Sequence, residues 1–290
     1  MEVIPWAAES WKRQDYTTFD ITLRDGMMWH DGKPVTIEDA KFSFDLVQRV
    51  NPAMYSHVVD VIEGTEIIGD NQLRIKLTAP FAPFLLNTLG YMHLLPKHIW
   101  ETVDDPLNYA NKEVIGSGPF KFGYWRKAEE LSLVANKDHF MAPKGIDNFI
   151  VLNVPAAETA LGMLETGQSD AYGWILTPDQ IKALEGRQDI VIVESENHAF
   201  YELRGLMSEK PCSDVNFRKA LYTAIPKQEI VKVAFGGRAT VAKNTPISPK
   251  LTFWHNPHLE PVEYSIDKAR QILKDAGYTW DSEGRLNYPA

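Results

Sequence analysis

Few residues of this chain could make or break a bond. Ser117 lies in Val114-Ile115-Gly116-Ser117-Gly118-Pro119-Phe120-Lys121. A serine hydrolase would present its nucleophile as Gly-x-Ser-x-Gly on a strand-to-helix turn, with a histidine base nearby. Here two glycines flank the serine directly and a proline follows, which predicts a sharp backbone turn passing close to another segment. Glu158 and Glu165 share a face of one predicted helix, the kind of carboxylate pair a glycosidase uses, but that face is expected to be solvated. Of the eight histidines, His255 and His258 are separated by Asn256 and Pro257, which prevents the helical i, i+4 pairing of zinc enzymes. His93 and His98 lie in proline-punctuated sequence. Cys212 is the only cysteine, so neither an intramolecular disulfide nor a cysteine-built metal site can form. The phosphate-cradling glycine loops of nucleotide enzymes are missing from the sequence. The reading is a chain with no catalytic residue, no metal ligand and no cofactor, and not an enzyme.

Binding chemistry is better represented. Eight tryptophans and eleven tyrosines exceed what packing requires, and amphipathic rings are suited to holding peptides or sugars in a cleft. The formal net charge of −9 argues against nucleic acid, whose binding rests on cationic contacts to phosphate.

The elements that must position these residues are legible in stretches. Phe19, Ile21 and Leu23 alternate with Asp20, Thr22 and Arg24, the period of a half-buried strand. Asp25-Gly26 and Asp31-Gly32 are turn dipeptides bracketing Met27-Met28-Trp29-His30, which predicts a compact strand and turn unit. Thr36 with Asp39 three residues on reads as a helix N-cap with acid in the first turn. The helix should run from Ile37 to about Arg49, with Phe42, Leu46, Val47 and Val50 at helical spacing. Further strands are expected over Gln72–Thr78, after Gly118, over Leu131–Asn136, from Ile150, at Ala171-Tyr172-Gly173 and over Ile190–Glu196. Helices are expected over Ala156–Thr166 with Gly167 as stop, around Phe217–Ile225, from Pro226 to Gly236-Gly237, and from an N-cap at Ser265 to Gly277.

At 290 residues the chain exceeds the size at which one core keeps growing, so two domains or a domain with an insertion are expected. No stretch approaches the length of a membrane-spanning helix. The most apolar region, Phe81–Leu95, is interrupted by Pro83, Asn87 and His93. The N-terminal residues lack the basic start, apolar stretch and cleavage site of a secretory signal.

The segment from Phe19 to Phe44, with its Leu23-Arg24-Asp25-Gly26 and Trp29-His30-Asp31-Gly32-Lys33-Pro34 words, closely resembles the signature of the family 5 extracellular solute-binding proteins, the oligopeptide, dipeptide and nickel receptors of ABC importers. Gly116-Ser117-Gly118-Pro119-Phe120, Leu95-Pro96-Lys97-His98-Ile99-Trp100 and Gln168-Ser169-Asp170-Ala171 also resemble the family, in family order. Cys212 and Pro226 depart from its pattern and leave the ends of the Phe217 helix open. Pro5-Trp6-Ala7-Ala8-Glu9-Ser10-Trp11 is similar to a stretch normally internal to such chains, so Met1 is expected to be an internal or truncated start and the second lobe incomplete.

The resemblance implies an α/β fold of the two-lobe periplasmic binding type. Residues 1–112 would form the small subdomain of the first lobe, 113–201 its main part, and 202–290 the crossing and start of the second lobe. It implies capture of a solute, foremost a short peptide, for ABC permease transmembrane subunits, in the periplasm or lipid-anchored outside the cytoplasm, with nucleic acid excluded as partner. The alternatives are an oligosaccharide or nickel/metal-chelate receptor of the same fold, or a cytoplasmic regulator reusing it. Strand ends and crossings line the cleft in such folds, which nominates Tyr91, Met92, Ser117, Gly118, Trp174 and Tyr201 as ligand contacts.

Overall fold

A computed structural model of the chain describes residues 3–195 and 199–289. They divide into two compact units, the first running to residue 157 and the second from residue 158.

In the first unit, β1 (Ala8–Arg13) and β2 (Thr18–Leu23) precede α1 (Ile37–Val50) and the short α2 (Ser56–Val59); β3 (Ile62–Gly69) and β4 (Gln72–Leu77) then complete an antiparallel sheet of order β1-β2-β4-β3. Phe19 pairs with Ile75 and Ile21 with Leu73, and all four are buried. The expected alternation is therefore the inner face of the two central strands. On the outer face the cross-strand partners Asp20 and Arg74 form a two-pronged ion pair at 2.7 and 2.9 Å. Hydrogen bonding by the Arg74 guanidinium holds the Asp20 carboxyl below its ordinary range.

α1 begins where the sequence predicts. The Thr36 hydroxyl accepts from the Asp39 N–H at 3.3 Å, and the Asp39 carboxylate accepts in return from the Thr36 N–H at 2.8 Å. This reciprocal box satisfies two donors that a helix start would otherwise leave unpaired. The helix buries Ile37, Ala40, Ser43, Phe44 and Val47, while Phe42 and Val50 are only half-buried. Its apolar residues join those of β2 and β4 in one core with Trp29, Val58, Val59 and Phe84. Phe84 opens a π-helical turn (Phe84–Leu89), which the proline-rich composition of that region did not predict, and its ring packs 4.5 Å from that of Phe19. α3 (Lys97–Trp100) follows.

Beyond the glycine turn, β5 (Phe120–Arg126), β6 (Glu130–Ala135) and β7 (Asn148–Leu152) form a second antiparallel sheet in that order. The register of β5 shifts between Phe122 and Tyr124, at Gly123. A Cβ there would lie 2.9 Å from the Ser132 carbonyl oxygen, so the close approach of the two strands requires glycine.

The regular elements from the junction of the units onward are mainly helices, α4 (Ala157–Glu165), α5 (Pro178–Leu184), α6 (Val215–Ala224), α7 (Lys227–Phe235) and α8 (Ile266–Asp275), joined by irregular chain, with a small hairpin of β8 (Thr279–Trp280) and β9 (Leu286–Asn287). The expected cap at Ser265 is present, accepting from the Lys268 N–H, and Asp214, which the sequence reading did not single out as a cap, starts α6 by accepting from the Asn216 N–H. Asp214 also accepts from the buried Tyr278 hydroxyl at 2.7 Å. Burial, together with this bond, pushes the Tyr278 phenol up to about 12. α6 and α8 face each other through Phe217, Ala220, Leu221, Ile266, Ala269 and Leu273.

Two expected strands do not form. Ala171-Tyr172-Gly173 and Ile190–Ser195 are irregular; Glu196, the last residue of the second, lies outside the described residues. Strand structure requires a ladder partner, and Val191 and Val193 stand exposed with none paired to them among the described residues.

Candidate functional site

Three consecutive residues of the Trp29-His30-Asp31 word each reach a different part of the first unit. The buried Trp29 indole donates to Asp39 at 3.2 Å, and the other oxygen of Asp39 accepts from the Lys97 N–H at 2.8 Å. Asp31 accepts from His98 at 2.7 Å. Ser43 of α1 completes the tie to the same segment, because its hydroxyl accepts from the Leu95 N–H at 2.7 Å. The carboxylates of Asp31 and Asp39 and the Ser43 hydroxyl thus anchor residues 95–98, the chain that follows Tyr91 and Met92.

His30 holds the glycine turn. Its N–H donates to the Gly116 carbonyl at 2.8 Å, its Nδ1 accepts from the Gly116 N–H at 3.2 Å, and its Nε2 lies 3.0 Å from the Gly118 carbonyl. An Nδ1 that accepts carries no proton, so Nε2 must carry it and donate to Gly118. A Cβ at residue 116 would sit 3.4 Å from the ring carbon Cε1, so the absent side chain of Gly116 gives the imidazole room to approach. Asn136 supports the same carbonyl, its Nδ2 donating to Gly118 at 3.2 Å, while its N–H donates to Pro119. Burial moves the His30 imidazole below its ordinary value of 6.5, which favours the neutral ring this geometry needs. For a group lowered on folding, the associated stability is complete above 6.5 and is lost as pH falls from there through the folded-state value.

The predicted contact residues fall in both units. In the first, Ser117 and Gly118 are half-buried in the clasped turn, Met92 packs against the core, and Tyr91 is 58% exposed with its ring 6.0 Å from that of His57. In the second, Trp174 is 77% exposed. Tyr201, 87% exposed, has its ring 4.9 Å from that of Phe235. Each aromatic therefore offers a ring face to solvent.

Other chemical candidates are occupied locally. Glu158 accepts from Gln180 at 3.1 Å, Glu165 lies 3.6 Å from Arg187, and His255 sits 3.0 Å from the Ile247 carbonyl. His93 is 2.7 Å from the Tyr55 hydroxyl. Among the described residues, no group of three or more His, Cys, Asp or Glu is arranged to hold a metal ion, and no helix is long and apolar enough to cross a membrane. Sequence reasoning missed His30 and Asn136, whose partners lie far along the chain and leave no periodic signal.

The bacterial extracellular solute-binding proteins, family 5 Middle, match residues 2–289. The oligopeptide-binding protein AppA of Bacillus subtilis is 27% identical over 282 residues, which cover 93% of this chain and 51% of that protein. Its structure in complex with a nonapeptide superposes with a TM-score of 0.74, over 98% of this chain and 57% of that one. The dipeptide-binding protein of Escherichia coli is 26% identical over 95% of this chain and 55% of its own length. NikZ from Campylobacter jejuni, in complex with Ni(L-His), superposes with a TM-score of 0.82 at 27% identity, over 98% of this chain and 57% of that one. The chain spans about half the length of the curated relatives it matches.

Proposed function

The chain belongs to the family 5 bacterial extracellular solute-binding proteins, an α/β family of two-lobe architecture, and from that premise we propose that it captures short peptides for an ABC importer. The observation that carries this reading is the match along residues 2–289, joined by relatives named for oligopeptides and dipeptides and by one solved with a nonapeptide bound. In this reading the peptide lies in a cleft between lobes, hinge closure traps it, and the closed form is what the permease subunits engage. Residues 1–112 are the small subdomain of the first lobe, 113–201 its main part and 202–290 the crossing and the start of the second. Tyr91, Met92, Ser117, Gly118, Trp174 and Tyr201 are its contacts to the solute. The protein works outside the cytoplasm, in the periplasm or on a lipid anchor, and changes no bond of its ligand.

A nickel-chelate receptor is the second reading, favoured by the likeness to NikZ with its Ni(L-His). Calorimetric titration with a mixture of di- to nonapeptides, with nickel–histidine and with an oligosaccharide series separates these readings. Heat from the peptide mixture, diminished by Trp174→Ala and Tyr201→Ala, is the expected result. Heat from the chelate or the sugars alone overturns the peptide reading.

A further inference from the structure

We propose that His30 is a positioning residue for the glycine turn 116–118, holding the Gly116 N–H only while the imidazole is neutral, so that a single proton opens that edge of the turn. Both ring nitrogens are committed to that turn: Nδ1 accepts from the Gly116 N–H and Nε2–H donates to the Gly118 carbonyl. A proton arriving from solvent can bind only at Nδ1. It converts that atom into a donor facing the Gly116 N–H, itself a donor, and the hydrogen bond between them is replaced by repulsion. The Gly116 carbonyl keeps its bond to the His30 backbone N–H at 2.8 Å and Asn136 keeps Gly118, so it is the Gly116 N–H that loses its partner. The Gly116 N–H therefore turns away from the ring while the Gly116 carbonyl and Gly118 stay tethered, which reorients the peptide that leads into Ser117.

The charged surroundings of His30 come from several segments. Asp31 beside it attracts a proton, but its carboxylate is engaged by His98 at 2.7 Å and by the Lys33 N–H at 3.2 Å. Lys121 on β5 repels a proton from His30, and His139, after β6, feels the charge of His30 in turn. Burial acts in the same direction as Lys121. Protonation is thus displaced below the ordinary histidine value and coincides with release of the Gly116 N–H. The clasp itself is independent of the ligand; its bearing on solute capture rests on the peptide-receptor reading above.

The test is hydrogen exchange at the Gly116 amide in the full 290-residue chain, read by NMR from about pH 8 to about pH 5 and corrected for intrinsic exchange. Protection is expected to fall about tenfold or more in one titration that coincides with the His30 ring nitrogen shifts. The Leu73 and Ile75 amides of the central strand should stay protected throughout. His30→Gln keeps a donor and an acceptor but cannot titrate, and should give a flat profile. His98→Gln and His139→Gln should leave the wild-type profile in place. A Gly116 profile that is flat in the wild type, that falls together with Leu73 and Ile75, or that persists in His30→Gln overturns the proposal. A profile flattened by His98→Gln or His139→Gln overturns it too. Peptide titration of the wild type at both pH limits separates the two ideas. Unchanged affinity despite release of the Gly116 N–H removes the turn from the solute site and leaves the His30 clasp standing.

Discussion

Asp39 shows how much one carboxylate can organise. It caps α1, accepts the Trp29 indole and accepts the Lys97 N–H, all while 5% exposed. Asp39→Ala would leave a buried indole N–H and two backbone donors unpaired, each costing about 1–3 kcal/mol. We expect a loss of about 3 kcal/mol or more, read as a lower urea midpoint at unchanged slope. A loss below about 1 kcal/mol, the value of a cap alone, would mean that the indole and Lys97 bonds contribute nothing. The Thr36–Asp39 box was readable because capping is local and its residue types are few. The same aspartate's reach to Lys97, 58 residues on, was not, because nothing in residues 95–98 identifies which side chain will satisfy their N–H groups.

At the scale of elements, legibility followed locality. β2, α1, β4 and the helices expected near Ala156–Thr166, Phe217–Ile225, Pro226–Gly236 and Ser265–Gly277 appear within a residue or two of their expected bounds, since alternation, caps and glycine stops are carried by adjacent residues. By contrast, α5 went unread although Thr177 and Gln180 form a capping box at its start. The strands expected at 171–173 and within 190–195 failed because period-2 alternation reports a half-buried surface but not a partner to pair with. The π-helical turn at Phe84–Leu89 lies where proline suggested only loop, and its burial is set by Phe19 of another strand. Of the candidate contacts, exposed Tyr91, Trp174 and Tyr201 are where a ligand could touch them, whereas the clasp that orders Ser117 was invisible to spacing rules. Gly123 offers an element-scale test. Gly123→Ala places a Cβ 2.9 Å from the Ser132 oxygen and 3.2 Å from its Oγ, so β5 and β6 must part. A loss of about 1–3 kcal/mol is expected, with exchange rising in β5 and β6 but not in β2 or β4. Equal loosening of both sheets would refute the local account.

For the molecule as a whole, the two units differ in how they keep apolar surface from water. The first holds the large core around β2, β4 and α1, whereas in the second the buried apolar residues are Leu161, Leu184, Ala220, Ala269 and Tyr278 among those described. β7 is exposed along its length, with Phe149, Ile150, Val151 and Leu152 all open, and only β6 pairs with it among the described residues. An open apolar strand is a template for another chain. The 290-residue chain in isolation is therefore expected to self-associate, with Ile150→Lys shifting it toward monomer in sedimentation velocity. A sharp monomer boundary for the unaltered chain would contradict this.

The long reach of His30 has a consequence in time. Trp29 and Asp39 are 10 residues apart, but the partners of His30 lie 86 and 88 residues downstream. On a ribosome adding about 5–20 residues per second, His30 is added roughly 4–18 s before Gly118. During that interval α1 and the Trp29–Asp39 tie can already form, while the imidazole waits without its turn. The nascent chain therefore passes through a stage in which the Met27–His30 segment is docked on one side only, and that interval is when a chaperone holding it would have the most effect.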